Sequence, residues 1–429
     1  MDAYALMLPL MLEFVNCFTA PGFVHFKTFI TAHAALLGMP HCVTETLRLT
    51  QVHKIIHWTT PYAFMKKGRW SCAEVSQCLL GLVIKKLGLR EEIVIALDDT
   101  LVKKWGKNFF GLGHYPDPTD KNPGAHKRRV LGHCWVAMTM LWERGPGQWF
   151  SFPLSSLLFV PEKQCSKEFP FQTKIELAKT LIGRLLWPAQ RLVLVVDNLY
   201  AKAKLAQLEI KGLDFFLVSR LKSNARIFEP PTTPPPGKRG PKPKKGKQVS
   251  ANQLWKRKSK RRKLEVNIYG KTVTIEAFVD LMIASPTLGY LPILVVIFPQ
   301  RSGKKMNVFF ATDLKMAPER LLELYAARFK IEDTFDELKT TGGFGDYRQR
   351  SFTAIKRHVA LSMVAYSLLR LLSLTIRNAE TIEAEPWWNP TGPPSVTRLR
   401  RAVFKAFRIS CGLHSDPKPK EFPPLKEAA

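Results

Sequence analysis

Two apolar, largely β-branched runs stand out in the first half of the chain, Ile93-Val94-Ile95-Ala96-Leu97 and Leu192-Val193-Leu194-Val195-Val196. Each lacks Gly and Pro and ends on an aspartate, Asp98 or Asp197. Continuous short runs of this kind predict strands buried on both faces. Before them, to about residue 90, apolar positions recur at helical spacing. They do so over 26–37, over 43–56 and from Ser71 to Leu87, the last opening on the capping box Ser71-Cys72-Ala73-Glu74. Between the two aspartates, strand-like stretches fall at 130–141 and 149–160, and a helix is predicted over 174–186. After Asp197 the pattern gives a helix near 201–208 and a strand at 215–220.

Three strands, helix, strand, helix, strand is the order of the ribonuclease H-like fold. There the first and fourth strands lie side by side and parallel, which would bring Asp98 and Asp197 together beyond the carboxyl ends of the sheet. A proline- and lysine-rich segment then interrupts the sheet, followed by strand-like runs at 264–269, 272–283 and 291–298. The sheet resumes at 308–312, and Pro318 opens a further helix. The expected class is α/β: a ribonuclease H-like mixed sheet with a β-rich insertion before a glutamate-bearing helix, plus an N-terminal helical domain. Its expected divisions are 1–90, 91–221, 222–304, 305–375 and a basic C-terminal region, 376–429.

That last helix reads Leu324-Tyr325-Ala326-Ala327-Arg328-Phe329-Lys330-Ile331-Glu332 and continues through Asp333-Thr334-Phe335-Asp336-Glu337-Leu338-Lys339. At about 100° per residue, Tyr325, Arg328, Glu332 and Lys339 share an arc of roughly 60°. Leu324, Ile331, Phe335 and Leu338 form the adjoining apolar stripe. Two strand-end aspartates and one helical glutamate are the hard oxygen donors that a pair of Mg2+ ions needs for phosphoryl transfer. Asp98 is the expected bridging ligand, with Asp197 and Glu332 each completing one ion. Asp99 is the alternative to Asp98, because neighbours on a strand face opposite sides. Arg328 and Lys339 read as phosphate contacts or as ion-pair partners of Glu332. Tyr325 reads as a phosphate contact or an ordinary half-buried phenol, and Asp333, Asp336 and Glu337 as structural or surface charges.

Charge narrows the partner. The chain carries 65 Lys+Arg against 35 Asp+Glu, a formal +30, over a 46% hydrophobic composition that supports a sizeable core. A polyanion is implied, and nucleic acid before a membrane surface, since no basic amphipathic anchor is evident. Cations crowd the stretch from Lys238 to Lys263, among them Lys238, Arg239, Lys242, Lys244 and Lys245. Disorder without a partner is expected there, with phosphate binding set against a solvated linker. His53 and His57 are spaced for a helical metal pair but lack a third ligand nearby. The N-terminal helices read as a plain helical domain or as one that grips DNA. Seven scattered cysteines without a CxxC pair argue for reduced thiols and against a zinc finger. No signal-peptide pattern opens the chain. The longest apolar helix candidate, 359–369, is bounded by Lys356-Arg357-His358 and Arg370, short of the ~20 residues of a membrane span. A soluble, cytoplasmic, nucleoid-associated protein is expected.

Taken together, Tyr325, Arg328, Glu332 and Lys339 spell Tyr-x2-Arg-x3-Glu-x6-Lys. Asp98-Asp99-Thr100 and Val195-Val196-Asp197-Asn198-Leu199-Tyr200 accompany them, with Leu131-Gly132-His133-Cys134-Trp135 and Tyr347-Arg348-Gln349-Arg350-Ser351. With these motifs the chain resembles, over roughly 20–375, insertion-sequence transposases of the aspartate–aspartate–glutamate (DDE) class. The resemblance implies Mg2+- or Mn2+-dependent cleavage at transposon ends and strand transfer into target DNA. It also implies terminal inverted repeats as substrate, a homodimeric synaptic complex, and phosphate contacts from the tyrosine, arginine and lysine. Two rivals stay open: a ribonuclease H-like nuclease that cuts without transposing, and a catalytically silent DNA-binding derivative.

Overall fold

The computed structural model describes residues 2–117, 120, 128–167, 169–231, 243–303, 305–376 and 393–412. Helices lead: α1 (Ala3–Leu12), α2 (Ala20–Ala35), α3 (Val43–Thr50), α4 (Thr59–Lys67) and α5 (Cys72–Leu87). Then come β1 (Glu92–Lys103), β2 (Gly113–Pro116), β3 (Arg129–Gly145), β4 (Gln148–Phe159), α6 (Lys174–Gly183), β5 (Arg191–Val196), α7 (Ala203–Ala206) and β6 (Asp214–Leu221). Short pieces β7 (Ile227–Phe228), β8 (Gln248–Val249) and α8 (Ala251–Trp255) precede the long strands β9 (Arg261–Ile268), β10 (Lys271–Ile283), β11 (Pro292–Pro299) and β12 (Met306–Ala311). Four helices follow among the described residues: α9 (Pro318–Ala327), α10 (Lys330–Thr340), α11 (Phe352–Thr375) and α12 (Val396–Ser410).

The two aspartate strands are neighbours. β1 runs parallel to β5 from Glu92↔Arg191 to Leu97↔Val196, and antiparallel to β3 on its other side. β6 lies parallel to β5, and β4 pairs with β3. From β6 the sheet continues through β12, β11 and β10 to β9, all antiparallel, so the strands after 260 lengthen the same sheet. Part of the expected disordered basic stretch is therefore ordered. Arg261, Arg262 and Lys263 form ladder pairs with β10, and Arg257, Lys260 and Arg261 bond Glu229, Asp280 and Glu276. Acidic partners outside the stretch itself, two on β10 and Glu229 after β7, explain the difference.

Strand alternation sorts the core into two layers. Ile93, Ile95 and Leu97 of β1 face a large apolar cluster with Leu192, Leu194 and Leu181, while Val94 and Ala96 face a second one with Val193, Leu321, Leu324, Ile331 and Phe335. Helices α9 and α10 thus cover one face of the sheet. The N-terminal helices have no core of their own: Met7, Phe26, Phe29 and Leu79 share the large cluster with Ile95, Leu361 and Leu399.

Helix α11 is longer than the sequence pattern suggested, because Lys356-Arg357-His358 lies inside it rather than at its boundary. Arg357 is buried and donates to the carbonyl oxygens of Phe64 (3.1 Å), Met65 (3.3 Å), Gly68 (2.6 Å) and Trp70 (2.7 Å). By length and composition α11 could cross a membrane, yet 78% of its apolar window is buried inside the fold, as in the core helix of a globular protein.

Candidate active site

Asp98 is the first residue of β1 beyond its last pair with β5, and Asp197 directly follows Val196, the partner of Leu97. The parallel register therefore sets the two aspartates beside each other. β1 does not end at Asp98, as its apolar run suggested, but continues along β3 to Lys103. Pairing with β3 supplies the backbone hydrogen bonds that β5 no longer provides.

Alternation decides which neighbour faces the glutamate. Asp98 has the parity of Val94 and Ala96 and projects to the face covered by α9 and α10. Its Oδ2 accepts from Arg328 Nη1 at 3.0 Å, and Arg328 Nη2 donates to Glu332 Oε1 at 2.7 Å. One guanidinium thus joins carboxylates from β1 and α10. The pairs are enclosed unevenly: the side chain of Arg328 is 12% exposed, that of Asp98 19% and that of Glu332 43%. Burial, with Asp197 alongside, pushes the Asp98 carboxyl up to about 7, against lowering by Arg328 and by the Asp99 N–H that bonds Asp98 Oδ1 at 2.8 Å. Asp197 is itself held by the backbone N–H of Leu199 at 2.8 Å.

Asp99 faces the other way. Its Oδ2 accepts from Lys174 Nζ at 2.6 Å and its Oδ1 from the Tyr200 hydroxyl at 3.1 Å. The Cys134 thiol lies 3.5 Å from Oδ2. Tyr200 also donates its backbone N–H to Asp197 Oδ1 at 3.4 Å, so it ties the second aspartate loop to the first aspartate strand. Lys174, the first residue of α6, carried no signal of this role in the sequence; Tyr200 did, as the tyrosine three residues after Asp197. Asp99→Ala is expected to cost about 3 kcal/mol of stability, because Lys174 and the Tyr200 hydroxyl lose their partner in a largely buried position. Urea unfolding measures this, and a loss below about 1 kcal/mol would remove the structural role.

The glutamate helix differs from expectation at one point. It is broken between α9 and α10, where Ile331 and Glu332 donate their N–H groups to residues three back, Arg328 and Phe329, at 3.0 Å each. Tyr325 and Arg328 close the first piece, and Glu332 and Lys339 ride the second. Apolar spacing is unbroken across the joint, so the pattern conceals it. Tyr325 packs against Phe309 with ring centroids 4.8 Å apart, and the Arg328 guanidinium lies 5.6 Å from its ring. Burial raises the phenol, with Arg328 and Arg220 opposing and Asp197 adding to the rise. Arg220, on β6, is a cation of this neighbourhood that the sequence did not single out. Lys339 is exposed, without an ion pair among the described residues.

The remaining candidates lie elsewhere. Lys238, Arg239 and Lys242 fall outside the described residues. Lys244 is exposed, and Lys245 sits over the rings of Phe228 (4.3 Å) and Tyr290 (4.6 Å). His53 and His57 do not share a helix. The first bonds the Leu47 carbonyl and the second the Thr59 hydroxyl.

Among the described residues, no three His, Cys, Asp or Glu side chains converge closely enough to enclose a metal ion. The donor chemistry nevertheless suits a hard divalent cation. Asp98 and Asp197 present carboxylate oxygens whose mutual repulsion a cation relieves, and Glu332 reaches the same guanidinium as Asp98.

No curated protein matches the chain. A family model described as DDE superfamily endonuclease matches residues 14–275, more than half of the chain, and takes in Asp98 and Asp197 while stopping short of Glu332. With two adjacent aspartates on parallel strands inside that match, the chain belongs to the DDE superfamily of endonucleases.

Proposed function

We propose that this endonuclease is a DNA transposase, which cuts the terminal inverted repeats of an insertion sequence and joins the freed ends to target DNA. The observation that carries the reading is the bridge Asp98–Arg328–Glu332, in which one guanidinium links a carboxylate of β1 to one of α10, with Asp197 acting on Asp98 from the neighbouring strand end. The strand order β4-β3-β1-β5-β6, with β5 and β6 parallel to β1, supports a ribonuclease H-like core under it.

In this reading Asp98, Asp197 and Glu332 would hold two Mg2+ or Mn2+ ions. Such ions, when bound, activate a water or a 3′-hydroxyl and stabilise the leaving oxygen. The chain's own groups do the positioning. Arg328 shields the repulsion between Asp98 and Asp197, and its planar fork suits a phosphate when Glu332 turns away. Tyr325 holds that guanidinium from its ring side. Lys339, two turns after Glu332 on one face of α10, offers a point charge to the strand beside the cut. A homodimer would place two such sites on two element ends, and a reducing cytoplasm at the nucleoid suits the free thiols.

The test is a duplex made from the DNA flanking the gene, incubated with protein and Mg2+ or Mn2+ beside a supercoiled plasmid. Nicking at the element end and joining into the plasmid are both expected. Cutting without joining would leave a nuclease of the same fold, and binding without cutting a silent derivative.

Lys339→Ala separates chemistry from stability. An exposed cation without an ion pair contributes little to folding, so its melting temperature should barely move. Misplacing the phosphate should slow single-turnover cleavage by up to about 10²-fold. Normal cleavage in this variant would return Lys339 to the solvated surface.

A further inference from the structure

An exposed tryptophan lies in the loop that carries the chain on from β1, past Asp98. Trp105 is 94% exposed, in the loop that follows β1 and contains Lys107. The loop is fastened to the segment after α10. Lys104 Nζ donates to the carbonyl oxygens of Gly345 and Tyr347 and lies 3.5 Å from the centroid of the Tyr347 ring. The Phe110 N–H donates to the Arg350 carbonyl at 3.0 Å. Loop and segment therefore form one surface, reached from Asp98 along β1 and from Glu332 along α10.

Beyond the segment lies a groove of about 600 Å³, lined by Thr44, Tyr62, Lys66, Arg348, Arg350 and Ser351. None of its lining residues is acidic. Lys66, Lys107, Arg348 and Arg350 are exposed, and none has a carboxylate partner among the described residues. Unpaired guanidinium and ammonium groups beside hydroxyls are the donors that a phosphate backbone accepts. The bare indole of Trp105, in the loop fastened to this segment by Lys104 and Phe110, offers a π-face to a nucleobase, an interaction indifferent to sequence.

We propose that this face holds the DNA flanking the scissile phosphate, with Lys66, Arg348 and Arg350 on backbone phosphates and Trp105 stacked on a base exposed at the duplex end. The assignment rests on the reading of the chain as a DNA-cutting enzyme and names where the substrate lies beside the cut. Exposed cations and an exposed indole contribute little to folding, so their removal leaves the fold intact.

The experiment uses the full chain without metal and a short fluorescein-labelled duplex with a single-stranded overhang, titrated over a range of KCl concentrations. A second duplex carries 2-aminopurine at the junction. The K66A/R348A/R350A triple variant should flatten the plot of log K against log salt by about 0.9 for each phosphate that no longer meets a cation. Trp105→Ala should keep the slope, weaken overhang binding by about 5- to 150-fold and relieve 2-aminopurine quenching. Trp105→Phe should restore most of both. An unchanged slope in the triple variant, or unchanged affinity and quenching in Trp105→Ala, overturns the proposal. A protein that shows these binding changes and never cuts DNA would sink the catalytic reading alone. Metal-dependent cutting with wild-type binding in all variants would sink this face alone.

Discussion

Asp98→Asn, Asp197→Asn and Glu332→Gln are each expected to lower single-turnover DNA cleavage by about 10³-fold or more, the scale on which a preorganised charge is lost from a site. Binding to the same DNA should stay within about twofold, because the phosphate-binding groups assigned above are other residues. Asp98→Asn carries a second signature. Its carboxyl titrates near 7 in the folded chain, raised chiefly by burial from the ordinary 3.8. Between those values the folded state keeps a proton that the unfolded state has released. Stability of the metal-free protein therefore falls as pH rises from about 4 to about 7, and Asp98→Asn should remove that fall. Urea unfolding across this range reads it, alongside cleavage in Mg2+. Near-normal cutting by Asp98→Asn, with loss in Asp99→Asn, would move the first ligand to the other face of β1.

The largest loss of stability is expected at Arg357. Its guanidinium collects the carbonyls of Phe64, Met65, Gly68 and Trp70 and lies 4.5 Å from the centroid of the Trp70 ring. Several of these oxygens belong to the end of α4, where helical partners run out. Arg357→Ala removes this buried donor from all four, leaving those of Phe64 and Gly68 only the Trp70 indole and backbone N–H, and should cost about 3–5 kcal/mol in urea unfolding. Arg357→Lys should recover less than half, since an ammonium offers three donors from one point and cannot span four acceptors. A loss under about 1 kcal/mol on Arg357→Ala would mean that water or a neighbouring donor takes over.

Much of the sheet and the site could be read from the sequence where local pattern and tertiary role coincide. The runs before Asp98 and Asp197 have one stable use, as buried strands, and their parallel pairing follows from the helix between them. Alternation could say that Asp98 and Asp99 diverge, but not which face α10 would cover, because that depends on how a distant helix docks. The joint between α9 and α10 lay hidden for a related reason. Leu324, Ile331 and Phe335 all reach one apolar cluster across it, so their spacing shows no interruption. Lys356-Arg357-His358 looked like a polar boundary because the acceptors of Arg357 lie almost three hundred residues away in the chain. The antiparallel docking of β12 on β6, which makes the strands after 260 part of the central sheet, likewise rests on a pairing that no local signal announces.

The core shared between the first helices and the last has a consequence for the order of events during synthesis. Helices α1 and α2 emerge long before the elements they need: their apolar faces pack on α11 and α12, and the carbonyl of His33 is bonded by Arg400 near the far end of the described chain. Short helices without such a partner are marginal in water. A nascent chain growing at about 5–20 residues per second thus carries its opening helices unfinished for tens of seconds. They reach their final packing only when α12 clears the ribosome. Nascent chains arrested before residue 396 should therefore leave α1 and α2 open to proteolysis, and chains extended past residue 412 with a tether to clear the exit tunnel should protect them.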